Sequence, residues 1–247
     1  MVAVESVAEA VRAALEAAPS LTAWARARAE RSHPAGRGVV HVARLADRRA
    51  AVRHARRGGW MRLLADRYLD NPPRPFLELA TSARLRAEGV STPEVLAALV
   101  IPARLGYRAD LATEWIEPGH DLRALLAPNV YPAAARRAGL EAAGREVGHA
   151  HQVGLDHPDL NVGNLFLQPA EPRWLAWLLD LDRATIVARA SDAAGRNVAR
   201  LVRSLEKERR LGTIAWEEEE LEVFRRAHRA GLADPGYPGG TPSGGRP

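Results

Sequence analysis

The sequence predicts an α+β fold in which a small antiparallel sheet with one helix precedes a mainly helical second half. β-branched residues flank a polar turn between Gly36 and Arg53, which is typical of a hairpin. Two further apolar runs, each closed by proline or glycine, predict two more strands after a single helix. From Asp121 onward, apolar residues recur at helical spacing. Strands therefore dominate the first half and helices the second.

The composition limits the class of protein. With 247 residues, 47% of them hydrophobic, the chain can bury the core of two small lobes, which excludes disorder of the whole chain. It has no cysteine, which excludes disulfides and thiolate sites and fits a cytoplasmic protein. Lys and Arg number 35 against 30 Asp and Glu, so the surface favours anions such as phosphates. No apolar run approaches the ~18 residues needed to span a bilayer, so we expect a protein that is soluble or lies on a membrane surface.

Four segments are expected along the chain. They are a helical extension over 1–34, an N-terminal lobe over 35–117, a C-terminal lobe over 118–233 and a disordered Pro/Gly tail over 234–247. The helix of the N-terminal lobe follows three prolines and stops at Gly89. The C-terminal lobe is expected to hold one helical stretch from Asp121 to His151 and two helices near 191–210 and 216–231.

Two polar motifs carry the candidate chemistry, HPDLNVGN at 157–164 and LLDLD at 178–182. Phosphoryl transfer requires a carboxylate that orients the acceptor, a metal-binding amide, a second metal-binding carboxylate and a cation on the donor phosphates. Asp159 and Asn164 have the D-x-x-x-x-N spacing of the first pair, and Asp180 follows an apolar run that predicts a buried strand. Each residue alone could be a helix cap or a turn residue. Their conjunction favours a phosphotransferase that uses ATP and Mg²⁺.

Several separate blocks of the chain carry a family resemblance. They are VRHARRGG at 52–59, DRYL at 66–69, YRADLATEWI at 107–116, HPDLN at 157–161, LLDLDRA at 178–184 and NVARLVRSLEK at 197–207. These blocks resemble the lipopolysaccharide kinase (Kdo/WaaP) family of the protein-kinase-like superfamily, in particular its kinases of 3-deoxy-D-manno-octulosonic acid (Kdo). The resemblance covers roughly residues 36–210. It implies a protein-kinase-like bilobal fold with a nucleotide-binding N-lobe and a reduced, catalytic C-lobe.

The resemblance also implies a role for each principal residue. Asp159 is the catalytic aspartate, and Asn164 and Asp180 bind Mg²⁺. Arg53 occupies the place of the strand lysine that binds the donor phosphates in protein kinases, where a planar guanidinium replaces a point charge. Glu78 is the expected ion-pair partner of Arg53, with a solvated helix glutamate as the alternative.

Other residues receive supporting assignments. Gly36 and Gly38 form either a phosphate lid or a plain hairpin turn. The segment that includes Glu114 and Ile116 is the expected hinge, where backbone groups recognise adenine, although Glu114 could equally be a structural strand residue. His157 is expected to brace the catalytic loop by hydrogen bonds and not to react.

Two positions depart from the protein-kinase pattern. Asn161 stands where protein kinases have lysine, which favours a sugar kinase of the lipopolysaccharide group. Asp182 stands where the D-F-G motif has glycine, and this removes the backbone freedom that a swinging activation segment uses. Asp182 is expected to pair with Arg183 or another arginine, or to support the metal.

The resemblance implies that the acceptor is a Kdo residue on a lipid A precursor, phosphorylated at its 4-hydroxyl. Arg56 and Arg57 add cations beside the donor site that suit a carboxylate or phosphates, with a solvated strand end as the alternative. A helix near 191–210 carries a basic stripe that is either a solvated face or a surface for anionic lipid. With the second alternative, the resemblance implies a peripheral position on the cytoplasmic face of the inner membrane. The stripe consists of Arg196, Arg200, Arg203 and Lys207.

Rival functions make different demands on the sequence. A nucleic-acid binder would have aromatic residues interleaved with its arginines, and aromatic residues are only 5% of the chain. A catalytically inactive kinase fold is disfavoured because Asp159, Asn164 and Asp180 are all intact. Another sugar, such as a core heptose or an aminoglycoside-like alcohol, is the alternative acceptor. No nucleic acid and no obligate protein partner are expected.

Overall fold

The computed structural model describes residues 1–35, 38–55, 67–171, 173–188 and 190–234. Their contacts divide the chain into two compact units. The first unit comprises Met1–Ala83 and Pro93–Trp115, and the second comprises Arg84–Thr92 and Ile116–Pro247. The N-terminal residues, expected to be an extension, thus belong to the first unit. The expected lobe boundaries stay predictions, and residues 235–247 of the expected disordered tail lie outside the described residues.

The first unit is built on a six-stranded antiparallel sheet. Its strands are β1 (Val2–Ala3), β2 (Arg31–Ala35), β3 (Gly38–Leu45), β4 (Arg48–His54), β5 (Val95–Pro102) and β6 (Tyr107–Glu114). Their order across the sheet is β1-β5-β6-β4-β3-β2. The predicted hairpin is β3 and β4, joined by a tight turn in which Ala46 has a φ of 55°. The central pairs β4–β6 and β5–β6 join the hairpin to the later strands.

Helices cover both faces of this sheet. They are α1 (Glu5–Ala17), α2 (Leu21–Arg28) and α3 (Arg74–Ala87), of which α3 continues into the second unit. Val11 of α1 and Leu21 of α2 are fully buried in one cluster with Val52 of β4. On the other face, Phe76 and Leu79 of α3 pack on residues of β5 and β6. In α1 the apolar face is buried against the sheet, whereas in α3 Phe76 and Leu79 are half-buried and Ala80 and Ala83, at the same helical spacing, are exposed.

Three elements of the first unit were not predicted individually, namely β1, α2 and β2, and the two strands contradict the purely helical extension expected over 1–34. β2 contains Pro34, and a proline usually argues against a strand. Because β2 lies at the edge of the sheet, the missing backbone N–H of Pro34 does not interrupt the hydrogen bonds between the central strands. The short helix α2 begins at Ser20, whose side chain accepts a hydrogen bond from the backbone N of Ala23.

Within the residues that the structure describes, the second unit holds four helices and two small sheets. The helices are α4 (Leu122–Leu125), α5 (Ala133–Gln152), α6 (Ala190–Arg210) and α7 (Glu218–Ala233). The strands are β7 (His120–Asp121), β8 (Leu155–Asp156), β9 (Leu165–Ala170), β10 (Arg173–Leu178) and β11 (Thr185–Ile186), paired as β10-β9-β7 and β11-β8. A 3₁₀ turn spans Val162–Asn164. Among the described residues, no helix is both long and apolar enough to cross a bilayer.

The helical stretch expected from Asp121 to His151 is interrupted, so its predicted continuity was wrong. Asp121 caps α4, which ends after one turn, and Pro132 stands at the N-cap of α5. Between them, Asn129 adopts a left-handed backbone with a φ of 60°. Prolines at 128 and 132 cannot donate the backbone hydrogen bonds of a continuing helix, which explains the break.

The packing of α7 on α5 is unusually close because glycines line the contact. A Cβ atom added to Gly148 would lie 2.2 Å from the carbonyl oxygen of His228, and one added to Gly144 would lie 2.4 Å from that of Phe224. Gly231 of α7 is equally close to the backbone of Arg145. Helix α5 is therefore packed against the backbone of α7 along one face, immediately before the segment that carries the catalytic motif.

Candidate active site

The loop from His157 to Asn164 is here called the catalytic loop. Within it, both the backbone N and the backbone carbonyl oxygen of Asp159 are hydrogen-bonded. The backbone N of Asp159 donates to His157 Nδ1 over 3.3 Å. Its carbonyl oxygen accepts from Asn161 Nδ2 at 2.9 Å and from Asn164 Nδ2 at 2.8 Å. The Asp159 side chain is exposed, and its carboxylate accepts no hydrogen bond from the residues that the structure describes. The carboxylate is thus not used as a cap within the described residues, and the catalytic role of Asp159 stays a prediction.

His157 braces the catalytic loop from inside. Its side chain is fully buried, and Nε2 donates to the carbonyl oxygen of Leu179 over 3.1 Å. Because Nδ1 accepts from Asp159, the proton of the neutral ring lies on Nε2. Burial lowers the pKa of His157 below its ordinary value, so the ring stays neutral. The imidazole links Asp159 to the residue just before Asp180.

Asn164 and Asp180 are neighbours through the backbone. The backbone N of Leu179 donates to the carbonyl oxygen of Asn164 at 2.9 Å, and Asp180 is the next residue. Asp180 is exposed and has a left-handed φ of 55°, a conformation that a non-glycine residue adopts at a cost and that is found at functional positions. The segment from Leu179 to Asp180 therefore lies beside Asn164.

This pair fits a magnesium ion by its donor chemistry. Asn164 Nδ2 is committed to the carbonyl oxygen of Asp159, so Oδ1 is its atom for a cation, and it accepts no hydrogen bond within the described ranges. Together with the Asp180 carboxylate it would offer the hard oxygen ligands that Mg²⁺ takes, a metal that usually keeps water and phosphate oxygens as its other ligands. The metal-binding roles of both residues remain predictions.

Asn161 is bound to the loop itself. Its Oδ1 accepts from the backbone N of Gly163 at 2.8 Å and caps the 3₁₀ turn, while Nδ2 binds the carbonyl oxygen of Asp159. Both side-chain atoms therefore support the loop, and an acceptor contact stays a prediction. Asp182 is half-buried and engaged with other groups of the protein, so its pairing or metal-supporting role also stays a prediction.

Three supporting residues were missed by the sequence analysis. The backbone N of Leu178, two residues before Asp180, donates to the carbonyl oxygen of Ser91 at 2.9 Å, and Thr92 Oγ1 donates to the carbonyl oxygen of Leu178. The backbone N of Ser91 in turn donates to Glu146 Oε1 at 2.6 Å. Glu146 is buried on α5, so an acid among apolar residues at helical spacing was the signal that could have found it.

The first unit contains the predicted ion pair of the donor site. Arg53 Nη2 on β4 lies 2.7 Å from Glu78 Oε1 on α3, and Glu78 is only 8% exposed. The reading of Glu78 as a solvated helix residue is therefore wrong. Beside Arg53, His54 Nδ1 donates to the buried carboxylate of Asp110 at 2.7 Å. This fixes the strand next to Arg53, whose phosphate-binding role stays a prediction.

The remaining predicted residues of the first unit are less defined. Glu114 Oε1 lies 3.6 Å from Arg48 Nη2 at the end of β6, which favours the structural alternative for its side chain. Gly38 begins β3 in register with Ala35. Gly36, Arg56 and Arg57 lie outside the described residues. The adenine contacts expected of Glu114 and Ile116 stay predictions.

The basic stripe of α6 is only partly available to a ligand. Arg196 Nη2 lies 2.8 Å from Asp156 Oδ2, and Arg200 Nη1 lies 3.5 Å from Asp156 Oδ1. Arg203 and Lys207 are exposed. Two of the four cations thus hold the strand before the catalytic loop.

A buried imidazole behind the loop predicts acid sensitivity. Burial lowers the pKa of His151 to about 3, whereas an unfolded histidine titrates near 6.5. Between these values the unfolded chain binds the extra proton, so the free energy of unfolding falls as pH falls below 6.5. Between pH 7.5 and pH 5.5, the free energy of unfolding of His151→Gln should therefore fall by about 1.4 kcal/mol less than that of wild type, as measured by urea unfolding. Equal losses in the two proteins would contradict a buried, neutral His151.

The Arg53–Glu78 pair lies in the first unit, and the second unit holds the catalytic loop with Asp159 and Asn164 and, after β10, Asp180. These residue types are the ones that a kinase-like phosphotransferase acting on a hydroxyl group uses. A sequence model of the lipopolysaccharide kinase (Kdo/WaaP) family matches residues 14–228. The chain belongs to this family.

Individual relatives extend this assignment. The 3-deoxy-D-manno-octulosonic acid kinase of Xylella fastidiosa (strain M12) is 33% identical over 206 residues, which cover 81% of this chain and 80% of the relative. The protein of the same name from Haemophilus influenzae (strain 86-028NP) is 36% identical over 183 residues, covering 70% and 73%. A solved structure described as WaaP in complex with acyl carrier protein has a TM-score of 0.57 at 19% identity, covering 83% of this chain and 80% of that one. This last likeness shows the shared fold.

Proposed function

We propose that this protein transfers the γ-phosphate of ATP to a hydroxyl of a Kdo residue on a lipid A precursor, with the 4-hydroxyl as the acceptor atom. One observation carries the proposal. Asp159 has an exposed carboxylate on a loop whose backbone is held by Asn161 and Asn164. The relatives named as Kdo kinases, 33% and 36% identical, support the acceptor.

Asp159 acts on the acceptor. Its carboxylate accepts a hydrogen bond from the sugar hydroxyl and takes the proton as the oxygen attacks the γ-phosphorus. A bond forms from the sugar oxygen to phosphorus, and the bond from phosphorus to the leaving ADP oxygen breaks. Because His157 is held neutral between Asp159 and Leu179, it fixes the loop and takes no part in proton transfer.

The phosphate donor, ATP, is bound by a cationic side chain, by backbone groups and through a metal ion. Arg53, oriented by Glu78, contacts the donor phosphates, and the hinge backbone from Glu114 to Ile116 binds adenine. Asn164 Oδ1 and the Asp180 carboxylate would hold Mg²⁺, which neutralises charge on the phosphate oxygens when bound. The left-handed backbone of Asp180 is the conformational cost of placing that carboxylate.

The acceptor is an anionic lipid, and two groups of cations suit it. Arg56 and Arg57 bind the carboxylate or phosphates of the Kdo-lipid A precursor. Arg203 and Lys207, the two exposed cations of the α6 stripe, contact anionic headgroups, which contributes on the order of 1 kcal/mol per residue. The protein thus works as a peripheral protein on the cytoplasmic face of the inner membrane.

A product-mass assay tests the proposal. Purified protein is offered ATP, Mg²⁺ and one acceptor at a time, and we expect one added phosphate on Kdo-lipid A precursor. A Kdo-free lipid A precursor is the matched control and gains none. Phosphate added only to a heptose-containing core or to an aminoglycoside would reject Kdo as the acceptor but would still support kinase activity. ATP binding without any phosphorylated product would reject catalysis.

A further inference from the structure

Both ends of the catalytic loop are attached to one face of α6. At the entry, Asn197 Nδ2 donates to the carbonyl oxygen of Leu155 over 3.1 Å. Asp156, the next residue, pairs with Arg196 and Arg200. Beyond Asp159, in the 3₁₀ turn, the backbone N of Val162 donates to Ser204 Oγ over 3.3 Å. The segment that presents Asp159 therefore spans two anchors on a single helix.

Asn197 is the buried centre of the entry anchor. Its side chain has no exposed surface, and its amide makes three contacts at once. Besides Leu155, Nδ2 lies 3.0 Å from His151 Nε2, while Oδ1 accepts from Arg200 Nη1 at 2.7 Å. Because a carbonyl oxygen needs a donor and a guanidinium needs an acceptor, only one amide orientation satisfies these partners.

The Asn197 contacts continue into α5 and α7. His151 Nε2 accepts from Asn197, so its other nitrogen carries the proton and donates to His228 Nε2 at 2.8 Å. His228 lies on α7, next to the close glycine contact with α5. A chain of hydrogen bonds thus joins α7 and α5 to Asn197 of α6, which binds the strand that enters the catalytic loop.

We propose that Asn197 is a positioning residue, whose amide holds the β8 strand and so sets the place of Asp159 for phosphoryl transfer. This rests on the proposed function for its catalytic readout. Asn197 touches no reacting atom and acts through Leu155 and the loop backbone. An aspartate would fit the same space, but its carboxylate would face the carbonyl oxygen of Leu155 and could not donate.

The first test measures kcat and KM, with the enzyme concentration corrected for the folded fraction. For Asn197→Ala we expect kcat to fall roughly 10- to 100-fold, because small displacements of a reacting group cost this much. The KM for ATP should stay within about twofold, since the proposed donor residues lie on other elements. Asn197→Asp should be no more active than Asn197→Ala, and Ser204→Ala should lose less.

Val202→Ala is the matched control, because Val202 lies on the same helix and packs against the same hydrophobic core, but its side chain cannot form a hydrogen bond to the loop. It should lower the midpoint of thermal unfolding but keep the wild-type kcat once the folded fraction is measured by circular dichroism. If Asn197→Ala has the same kcat as Val202→Ala, Asn197 is a structural residue only and the inference is overturned.

If the wild-type protein phosphorylates no acceptor, the proposed function is rejected, but the inference about Asn197 can still be tested by hydrogen exchange. The loop amides of Leu160, Val162 and Asn164 are all hydrogen-bonded. In Asn197→Ala their protection should fall at least about tenfold relative to Val202→Ala. Unchanged protection of these amides would show that Asn197 does not hold the loop.

Discussion

Replacement of Asp159 by asparagine is expected to lower kcat about 10²- to 10⁴-fold, the range for loss of a general base. Asparagine keeps the shape of the side chain and can hold the acceptor hydroxyl, but it cannot take the proton. The backbone bonds of residue 159 to His157, Asn161 and Asn164 do not involve the carboxylate, so the loop should stay in place. Single-turnover phosphorylation of Kdo-lipid A precursor measures this effect, and calorimetry measures ATP affinity, which should change less than about twofold.

Asp192→Asn is the control for this substitution. Asp192 is exposed in the first turn of α6, so the same charge is removed from the same unit away from the catalytic loop. Its kcat should equal that of wild type. An Asp159→Asn protein with wild-type turnover would show that the carboxylate does no chemistry. A loss of ATP affinity as large as the loss in kcat would instead assign Asp159 to donor binding.

Local sequence spacing was enough to locate the catalytic loop and the strand before Asp180. D-x-x-x-x-N places Asp159 and Asn164 on one short loop, and in the structure Asn164 Nδ2 donates to the carbonyl oxygen of Asp159. Local spacing could not predict the Arg53–Glu78 pair, because the two residues are 25 positions apart in the sequence. Only the family resemblance suggested that pair. Short-range periodicity and family motifs therefore predicted different parts of the site.

The supports of the site could not be predicted because they join residues that are distant in the chain. Asn197 and Leu155 are 42 residues apart, and Ser91 and Glu146 are 55 apart. No pattern within a helix or strand reports such pairs. Arg196 and Arg200 were predicted as part of a solvated or lipid-binding stripe, yet they pair with Asp156. An amphipathic pattern shows which face of a helix is polar, but it does not identify the partner of that face.

Gly148→Ala is expected to reduce the free energy of unfolding by about 1–3 kcal/mol, the cost of overpacking, although alanine favours a helix by about 1 kcal/mol over glycine. The added methyl would lie 2.2 Å from the carbonyl oxygen of His228 and 2.8 Å from the backbone N of Leu232. Both are backbone atoms, so no side-chain rotation relieves the contact and α7 must move away from α5. Urea unfolding at pH 7.5 measures the change.

Gly195→Ala is the matched control, because Gly195 is also within a helix but has no heavy atom within 4 Å of an added Cβ. The same chemical change should there increase the free energy of unfolding by about 0.5–1 kcal/mol. The two substitutions are therefore expected to have opposite signs. Because α7 also carries His228 to His151, Gly148→Ala should in addition raise hydrogen exchange in the catalytic loop, whereas Gly195→Ala should not. Stabilisation by both alanines would show that α5 and α7 are not packed as closely as these glycines indicate.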